Sequence, residues 1–128
     1  MWTFVQRTGA ILHDAVLKGN GYSGHGPGKN NPAMESESDV GPIPSGRYSI
    51  AELIDRDPVC GEYVLVLMPA PANQMFGRSG FRWHGDSIES PGQASHGCIV
   101  SSRALRVEVW ESSDHDLQII REPDLPKS

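Results

Sequence analysis

The sequence contains no long apolar segment. A helix needs about 20 consecutive apolar residues to cross a bilayer, and no run in these 128 residues approaches that length. The amino-terminal stretch Met1–Arg7 also lacks the basic start, apolar core and small-residue cleavage site of a secretory signal peptide. We therefore expect no membrane span and no export through a signal peptide, so that the protein is made in the cytoplasm.

Positive charge is scarce as well. Lys and Arg number 11 against 16 Asp and Glu, which gives a formal net charge of −5, and no cluster of basic residues offsets this balance. A surface that binds nucleic acid needs concentrated positive charge. The sequence therefore argues against DNA or RNA as a partner.

Cysteine is the third scarce residue, since the chain has only Cys60 and Cys98. They permit one disulfide, but a domain of 128 residues is large enough to bury a core without such a link. We expect Cys98 to be free, because a disulfide would remove the nucleophile that its surroundings suggest. Cys60 is expected to be a small buried hydrophobe.

What the chain does have is 14 glycines and 10 prolines, with 38% hydrophobic residues. This composition favours a turn-rich, mainly β fold over a helical bundle. We predict one domain over residues 1–122 and a frayed tail over 123–128, with a long ordered loop at 18–46. Ser101 or Ser102 is predicted to cap a short helix that ends near Trp110. Alternating or apolar runs predict strands at 2–6, 10–16, 47–54, 62–68 (the last buried on both faces), 80–84 and 117–121.

The segment Ser95-His96-Gly97-Cys98 carries the strongest chemical signal. A thiolate is the reactive form of cysteine, so we expect a nearby histidine or backbone dipoles to lower the pKa of Cys98. Gly97 permits a tight turn whose amides stabilise an oxyanion, and Ser95 is expected to hold that turn by a hydrogen bond to the backbone. His84, at the end of an aromatic strand, is the predicted general base. For His96 a polarising and a structural role remain equally open.

Further candidates surround this segment. Arg103 is predicted to clamp a substrate carboxylate through its guanidinium, although a surface position on the helix is an equal alternative. Asp86 either orients a histidine or lies in a solvated loop. Tyr22, Ser23 and Lys29 are predicted to line a substrate groove, or else belong to a loop that needs glycine for its geometry.

Four motifs in order give the chain a family resemblance. His84, a spacer and Ser95-His96-Gly97-Cys98-Ile99 resemble the catalytic signature of the L,D-transpeptidase (YkuD-like) domain. With three glycine-rich motifs, residues 2–121 resemble the DUF2778 branch, which includes the Tlde1-type effectors of type VI secretion. Those three motifs are Gly21-Tyr22-Ser23-Gly24, Gly28-Lys29-Asn30-Asn31-Pro32 and Gly41-Pro42-Ile43-Pro44-Ser45-Gly46-Arg47-Tyr48.

The resemblance implies a fold and a reaction. The fold is a single mainly β domain, an L,D-transpeptidase-like β-sandwich with one or two short helices. Cys98 attacks a peptide carbonyl and His84 is its base. The substrate is the stem tetrapeptide of peptidoglycan, cleaved between the L-centre of diaminopimelate and a terminal D-alanine. Water as acceptor gives L,D-carboxypeptidase activity, and an amine acceptor gives transpeptidation or exchange of the D-amino acid.

The resemblance also implies a setting. Such effectors are secreted by a type VI apparatus, act in the periplasm of a target bacterium and are neutralised by a cognate immunity protein. This chain departs from the broad transpeptidase pattern in two ways: its spacer between His84 and Ser95 is short, and Val100 stands where an asparagine often occurs. Both departures favour trimming or exchange of stem peptides over crosslinking of the wall.

Other interpretations remain open at this level. A zinc hydrolase would need ligands from the set His84, Asp86, His96, Cys98 and His115. The sequence has neither a His-Glu-x-x-His helix nor a paired Cys-x-x-Cys, so we predict no metal and no cofactor. Cysteine peptidases of the NlpC/P60 type are disfavoured because their cysteine precedes its histidine. A module that binds the cell wall without catalysis is the third alternative.

Overall fold

The computed structural model describes residues 1–123, which are mainly β, as predicted. Nine strands and one α-helix lie within these residues. None of the helices in this range is long and apolar enough to cross a bilayer. Apart from Pro123, the predicted tail lies outside the described residues. In chain order the elements are β1 (Trp2–Val5), β2 (Ala10–His13), β3 (Val16–Asn20), β4 (Tyr22–Ser23), β5 (Gly46–Asp57), β6 (Gly61–Pro69), β7 (Arg82–His84), β8 (Ile99–Val100), α1 (Arg103–Glu111) and β9 (Asp116–Ile120).

All nine strands belong to one sheet, in the order β3-β2-β1-β9-β5-β6-β7-β8-β4. Its two outermost strands, β3 and β4, are separated in the chain by Gly21 alone. The sheet therefore curls round until its ends meet, which gives the predicted β domain a barrel-like form. Gly21 suits this junction because a Cβ there would collide with the carbonyl oxygen of Val100.

The core lies inside the curled sheet and is closed by α1. Four consecutive side chains of β6, Val64–Leu67, are buried, which confirms the prediction that this strand is covered on both faces. The helix contributes Leu105 and Val109 to the core. It begins as predicted, because the hydroxyl of Ser102 accepts a hydrogen bond from the amide of Leu105 at 3.2 Å. Such a cap stabilises a helix by about 1 kcal/mol.

The predicted long loop at residues 18–46 is only partly a loop. It opens with the end of β3, continues through β4 and then forms two 3₁₀ turns, Gly26–Gly28 and Pro32–Met34. The glycines and prolines concealed β4 because its two residues are too few for a strand pattern. The segment is ordered, as expected. The buried guanidinium of Arg78 donates hydrogen bonds to three backbone carbonyl oxygens of this segment, those of Glu35, Gly41 and Pro42.

Candidate active site

Strands β7 and β8 bring the candidate nucleophile and base to one face of the sheet. They pair in parallel, with Trp83 opposite Ile99 and His84 opposite Val100. Trp83 and Ile99 are fully buried in the core, and side chains alternate along a strand. His84 and Cys98 consequently point away from the core on the same face. Both line one cleft of about 560 Å³.

Ser95 holds the turn that carries Cys98. Its buried hydroxyl accepts hydrogen bonds from the amides of Gly24 at 2.8 Å and Gly97 at 3.1 Å. It donates to the carbonyl oxygen of Cys98 at 2.6 Å. Gly97 has φ of +129°, and a Cβ there would collide with the guanidinium of Arg78. These hydrogen bonds give Ser95 the turn-holding role that the sequence predicts, and the φ of Gly97 favours glycine there. The Gly97 amide itself is committed to Ser95 and is not available to an oxyanion.

Ser23 supports the same turn from β4. Its hydroxyl donates to the carbonyl oxygen of Gly97 at 2.9 Å and accepts from the amide of Ile43 at 2.8 Å. The side chain is fully buried, so it has no surface with which to contact a bound peptide. The prediction that Ser23 lines the substrate groove is therefore replaced by a structural role, in which the hydroxyl ties three segments of the chain together.

Tyr22, Asp86 and Lys29 lie together at the loop that forms one wall of the cleft. The Tyr22 hydroxyl donates to the Asp86 carboxylate at 2.6 Å and accepts from the amide of Ala94 at 3.0 Å. Asp86 also accepts from the amide of Gly92 at 3.1 Å, and the Lys29 ammonium lies 4.3 Å from the Tyr22 ring centroid. Burial and the Asp86 carboxylate raise the pKa of Tyr22 to about 12. The three side chains fix this loop, and Asp86 orients no histidine.

The ring of His84 is in the tautomer that accepts a proton at Nε2. Its Nδ1 lies 2.8 Å from the carbonyl oxygen of Gly85. A carbonyl only accepts, so Nδ1 carries the proton and Nε2 keeps its lone pair. Burial lowers the pKa of His84 below its ordinary value of 6.5. At neutral pH the imidazole is therefore uncharged, as a general base must be.

Cys98 departs from the sequence-based expectation. Burial raises the pKa of its thiol above the ordinary 9.0, against the opposing effects of the Arg82 amide, which donates to Sγ at 3.3 Å, and of the charges of Arg82 and Arg78. The expected lowering of the Cys98 pKa is thus wrong, because desolvation outweighs the local dipoles and cations. The resting pair consists of a thiol and a neutral imidazole, and the thiol needs its base in order to react.

This charge state predicts the pH dependence of alkylation. With Cys60 replaced by serine, we expect the rate of iodoacetamide reaction at Cys98 to rise with pH into the alkaline range above pH 9, because the thiolate forms only as pH passes a raised pKa. The rate is followed by mass spectrometry from pH 5 to 10. Rapid alkylation already near pH 5 would reveal a preformed thiolate–imidazolium pair and contradict this prediction.

His96 lines the cleft. Its ring packs against that of His25, a residue that the sequence analysis missed. The rings of His25 and His96 meet edge to face with their centroids 4.9 Å apart. His25 Nδ1 is 2.9 Å from the carbonyl oxygen of Ser95, so His25 braces the turn. The sequence marks His25 only by its position directly after the Gly21-Tyr22-Ser23-Gly24 motif.

Arg78 was also missed, since no local pattern marks an arginine that acts on distant backbone. Besides its three bonds to the glycine-rich segment, its Nη2 donates to the carbonyl oxygen of His96 at 3.3 Å. The guanidinium lies 5.3 Å from the ring centroid of Phe81. It thus joins the segment at residues 35–42 to the turn that carries Cys98.

Removing this guanidinium is expected to destabilise the domain. We predict that Arg78→Lys lowers the free energy of unfolding by about 3 kcal/mol, because an ammonium cannot reach four carbonyl oxygens and leaves several unsatisfied. Urea denaturation measures the change. Arg56→Lys is the matched control: that arginine is exposed and pairs with Glu62, so its replacement should cost less than about 1 kcal/mol. Equal effects of the two substitutions would contradict the role given to Arg78.

Arg103, the predicted carboxylate clamp, is engaged elsewhere. Its Nη1 lies 3.1 Å from a carboxylate oxygen of Glu62, and its guanidinium lies 5.5 Å from the ring centroid of Tyr63. The side chain is not among those that line the cleft of Cys98. The exposed pair that it forms contributes little to stability.

The ligands considered for zinc do not form a single coordination site, although His84, Asp86, His96 and Cys98 line the same cleft. His115 stacks on Trp110 with ring centroids 4.5 Å apart. Within residues 1–123, the one group of three side chains able to hold a single ion is His13, Asp14 and Asp114, and it includes none of the five candidates.

Comparison with known proteins gives the chain a family. A family model described as the Tlde1 domain matches residues 17–122. No curated protein matches. Among solved structures, an L,D-transpeptidase from Mycobacterium smegmatis is similar at 16% sequence identity and a TM-score of 0.47, over 92% of this chain and 58% of that chain. The family match spans every candidate site residue from Tyr22 to Arg103, and it confirms the resemblance carried by the four motifs. The chain belongs to the Tlde1 domain family.

Proposed function

We propose that this protein is a cysteine enzyme that acts on peptidoglycan stem peptides, at the L,D bond before the terminal D-alanine. The observation that carries the proposal is the placement of Cys98 and His84 on one face of the sheet, in one cleft, with the His84 Nε2 unprotonated. Membership of the Tlde1 domain family fits an enzyme of the peptidoglycan wall.

The proposed reaction begins with attack by the Cys98 sulfur on the scissile carbonyl carbon, while His84 Nε2 accepts the thiol proton. The tetrahedral intermediate then collapses: the C–N bond breaks, and His84 returns the proton to the departing amine of D-alanine. A thioester to Cys98 remains. Its carbonyl is attacked by water, which gives the tripeptide, or by the amine of another D-amino acid, which gives an exchanged tetrapeptide.

The backbone of the turn supports this chemistry. The Gly97 amide is committed to Ser95, so stabilisation of the oxyanion falls to the other amides of the turn. The cleft is open to solvent, since Val59 and Ile88 on its walls are 91% and 96% exposed. This openness lets water reach the thioester, and it supports hydrolysis alongside exchange.

The proposed reaction is tested by incubating the protein with a stem tetrapeptide that contains diaminopimelate, with and without an added D-amino acid. We expect D-alanine release that a thiol reagent abolishes, with a tripeptide or an exchanged tetrapeptide as the second product in mass spectra. Activity that a chelator abolishes would instead favour a zinc hydrolase. Binding to isolated walls without any turnover would favour a non-catalytic module.

We further propose that the protein is an antibacterial effector, delivered by a type VI apparatus into the periplasm of a target cell and opposed by an immunity protein. The Tlde1 domain supports this assignment. Expression in a Gram-negative host with an added periplasmic leader should slow growth, whereas cytoplasmic expression should not. Equal growth with periplasmic and cytoplasmic expression would contradict this assignment. So would a Cys98→Ala variant as toxic as the wild type.

A further inference from the structure

Most cationic side chains around the candidate site are already committed. Arg78 donates to backbone carbonyl oxygens, as does the buried Arg106, whose acceptors include Tyr63. Arg103 pairs with Glu62. A substrate carboxylate would have to displace a hydrogen-bond or ion-pair partner from each of these three arginines. Lys29 lies over the ring of Tyr22, and among residues 1–123 it makes no hydrogen bond to the turn that carries Cys98.

Arg82 differs from the others. It stands in β7 next to Trp83, so its side chain points to the outer face together with His84. Its own amide donates to the Cys98 sulfur at 3.3 Å. The guanidinium makes one hydrogen bond, from Nη1 to the adjacent carbonyl oxygen of Phe81 at 3.2 Å. Among residues 1–123, no carboxylate lies within 4.0 Å of it.

The carboxylate of Asp57, whose pKa the charge of Arg82 affects, is held by the backbone. Asp57 lies close enough for the charge of Arg82 to help lower its pKa. Its Oδ1, however, accepts hydrogen bonds from the amides of Val59 at 2.8 Å and Cys60 at 2.9 Å. The carboxylate is thereby fixed at the turn between β5 and β6. The Arg82 guanidinium keeps an edge without a carboxylate partner among residues 1–123, and parallel pairing of β7 with β8 puts its side chain on the same face as Cys98. Its charge opposes the rise of the pKa of the Cys98 thiol.

We propose that Arg82 binds the free α-carboxylate of the substrate's C-terminal residue, and thereby restricts cleavage to the last residue of the stem. This inference rests on the proposed function. In the scissile peptide the α-carboxylate is separated from the amide nitrogen by the α-carbon alone. The cation that binds it must therefore lie near the sulfur that attacks the neighbouring carbonyl, and Arg82 is on the same face of the sheet as Cys98. A guanidinium matches a carboxylate with two parallel hydrogen bonds.

The same subsite serves the exchange reaction. An incoming D-amino acid carries its amine and its carboxylate on one carbon, as the departing D-alanine does. Arg82 would hold the carboxylate in the same place and direct the amine at the thioester. Arg82 thus determines both the leaving group and the acceptor.

The test compares two tetrapeptides that differ only at the C-terminus, one with a free carboxylate and one with a carboxamide. For the wild-type protein we expect kcat/KM to be about 100-fold higher for the acid, because a site built for a hydrogen-bonding group rejects the analogue that lacks it. Arg82→Gln should bring this ratio close to unity, mainly through loss of activity on the acid. Arg82→Lys should recover part of the ratio, since it keeps the charge without the bidentate geometry.

The ratio of kcat/KM for the acid to kcat/KM for the carboxamide distinguishes carboxylate binding from other effects of Arg82. Any effect of Arg82 on the Cys98 thiol alters both substrates alike and leaves the ratio unchanged. Arg56→Gln, an exposed arginine paired with Glu62, is the matched control and should keep the wild-type ratio. An unchanged ratio in an active Arg82→Gln or Arg82→Lys protein overturns the inference and leaves the proposed function standing. If the wild type cleaves neither peptide, the proposed function fails and the inference fails with it.

Discussion

Cys98→Ala is expected to abolish D-alanine release from the stem tetrapeptide, with residual activity at the detection limit. The substitution removes the sulfur that forms the thioester, and among residues 1–123 the only other thiol that lines the cleft is that of Cys60. The fold should persist, because the thiol accepts only one hydrogen bond, from the amide of Arg82, and loss of a single buried atom costs about 1 kcal/mol. Turnover is measured by mass spectrometry and folding by thermal denaturation.

Cys60 offers the matched control for this substitution. Its side chain lines the same cleft, and burial raises the pKa of its thiol to about 11, so it is protonated at neutral pH. It lies in the turn between β5 and β6, and the turn of Ser95 and Gly97 that positions Cys98 makes no hydrogen bond to it. Cys60→Ala should therefore keep activity within about threefold of wild type. Activity that depends on Cys60 and survives Cys98→Ala would reverse the assignment of the nucleophile.

His84→Ala is expected to lower kcat/KM by about 10³-fold, because the thiol has a raised pKa and depends on a base for its activation. The same base also protonates the leaving amine, so one substitution affects both halves of the acylation step. The loss is measured with the acid tetrapeptide from pH 6 to 9. Burial places the pKa of His84 below 6.5, so wild-type activity should fall only below that pH, where the imidazole becomes charged.

His96→Ala is the control for His84. The His96 ring packs against His25, and its backbone carbonyl is held by Arg78. We expect a loss of about tenfold or less, caused by a less rigid turn. If His84→Ala stays near wild type while His96→Ala is inactive, the base has been assigned to the wrong histidine.

The elements that the sequence predicts well are those with local signatures. The apolar run of β6 and the cap at Ser102 each depend on residues that are neighbours in the chain. The same holds for the Ser95–Cys98 turn, where the serine hydroxyl bonds to atoms only two or three residues away. Short-range hydrogen bonds and side-chain periodicity can be predicted from the order of residues in the chain alone.

What the sequence could not give depends on contacts between distant segments. Closure of the sheet through Gly21 requires the position of Val100. Arg103 is diverted from the cleft by Glu62 on β6, and Arg82 gains its place beside Cys98 only through the parallel pairing of β7 with β8. The direction of the Cys98 pKa shift depends on burial, which exists only after the chain has folded.

The proposed reaction passes through a thioester on Cys98. The most direct measurement is the mass of the intact protein after mixing with the acid tetrapeptide and rapid acid quenching, followed by peptide mapping. We expect an added mass equal to the acyl tripeptide, located on the peptide that contains Cys98, removed by hydroxylamine and absent from Cys98→Ala. An adduct on another residue, or D-alanine release that continues in Cys98→Ala and stops with a chelator, would contradict it.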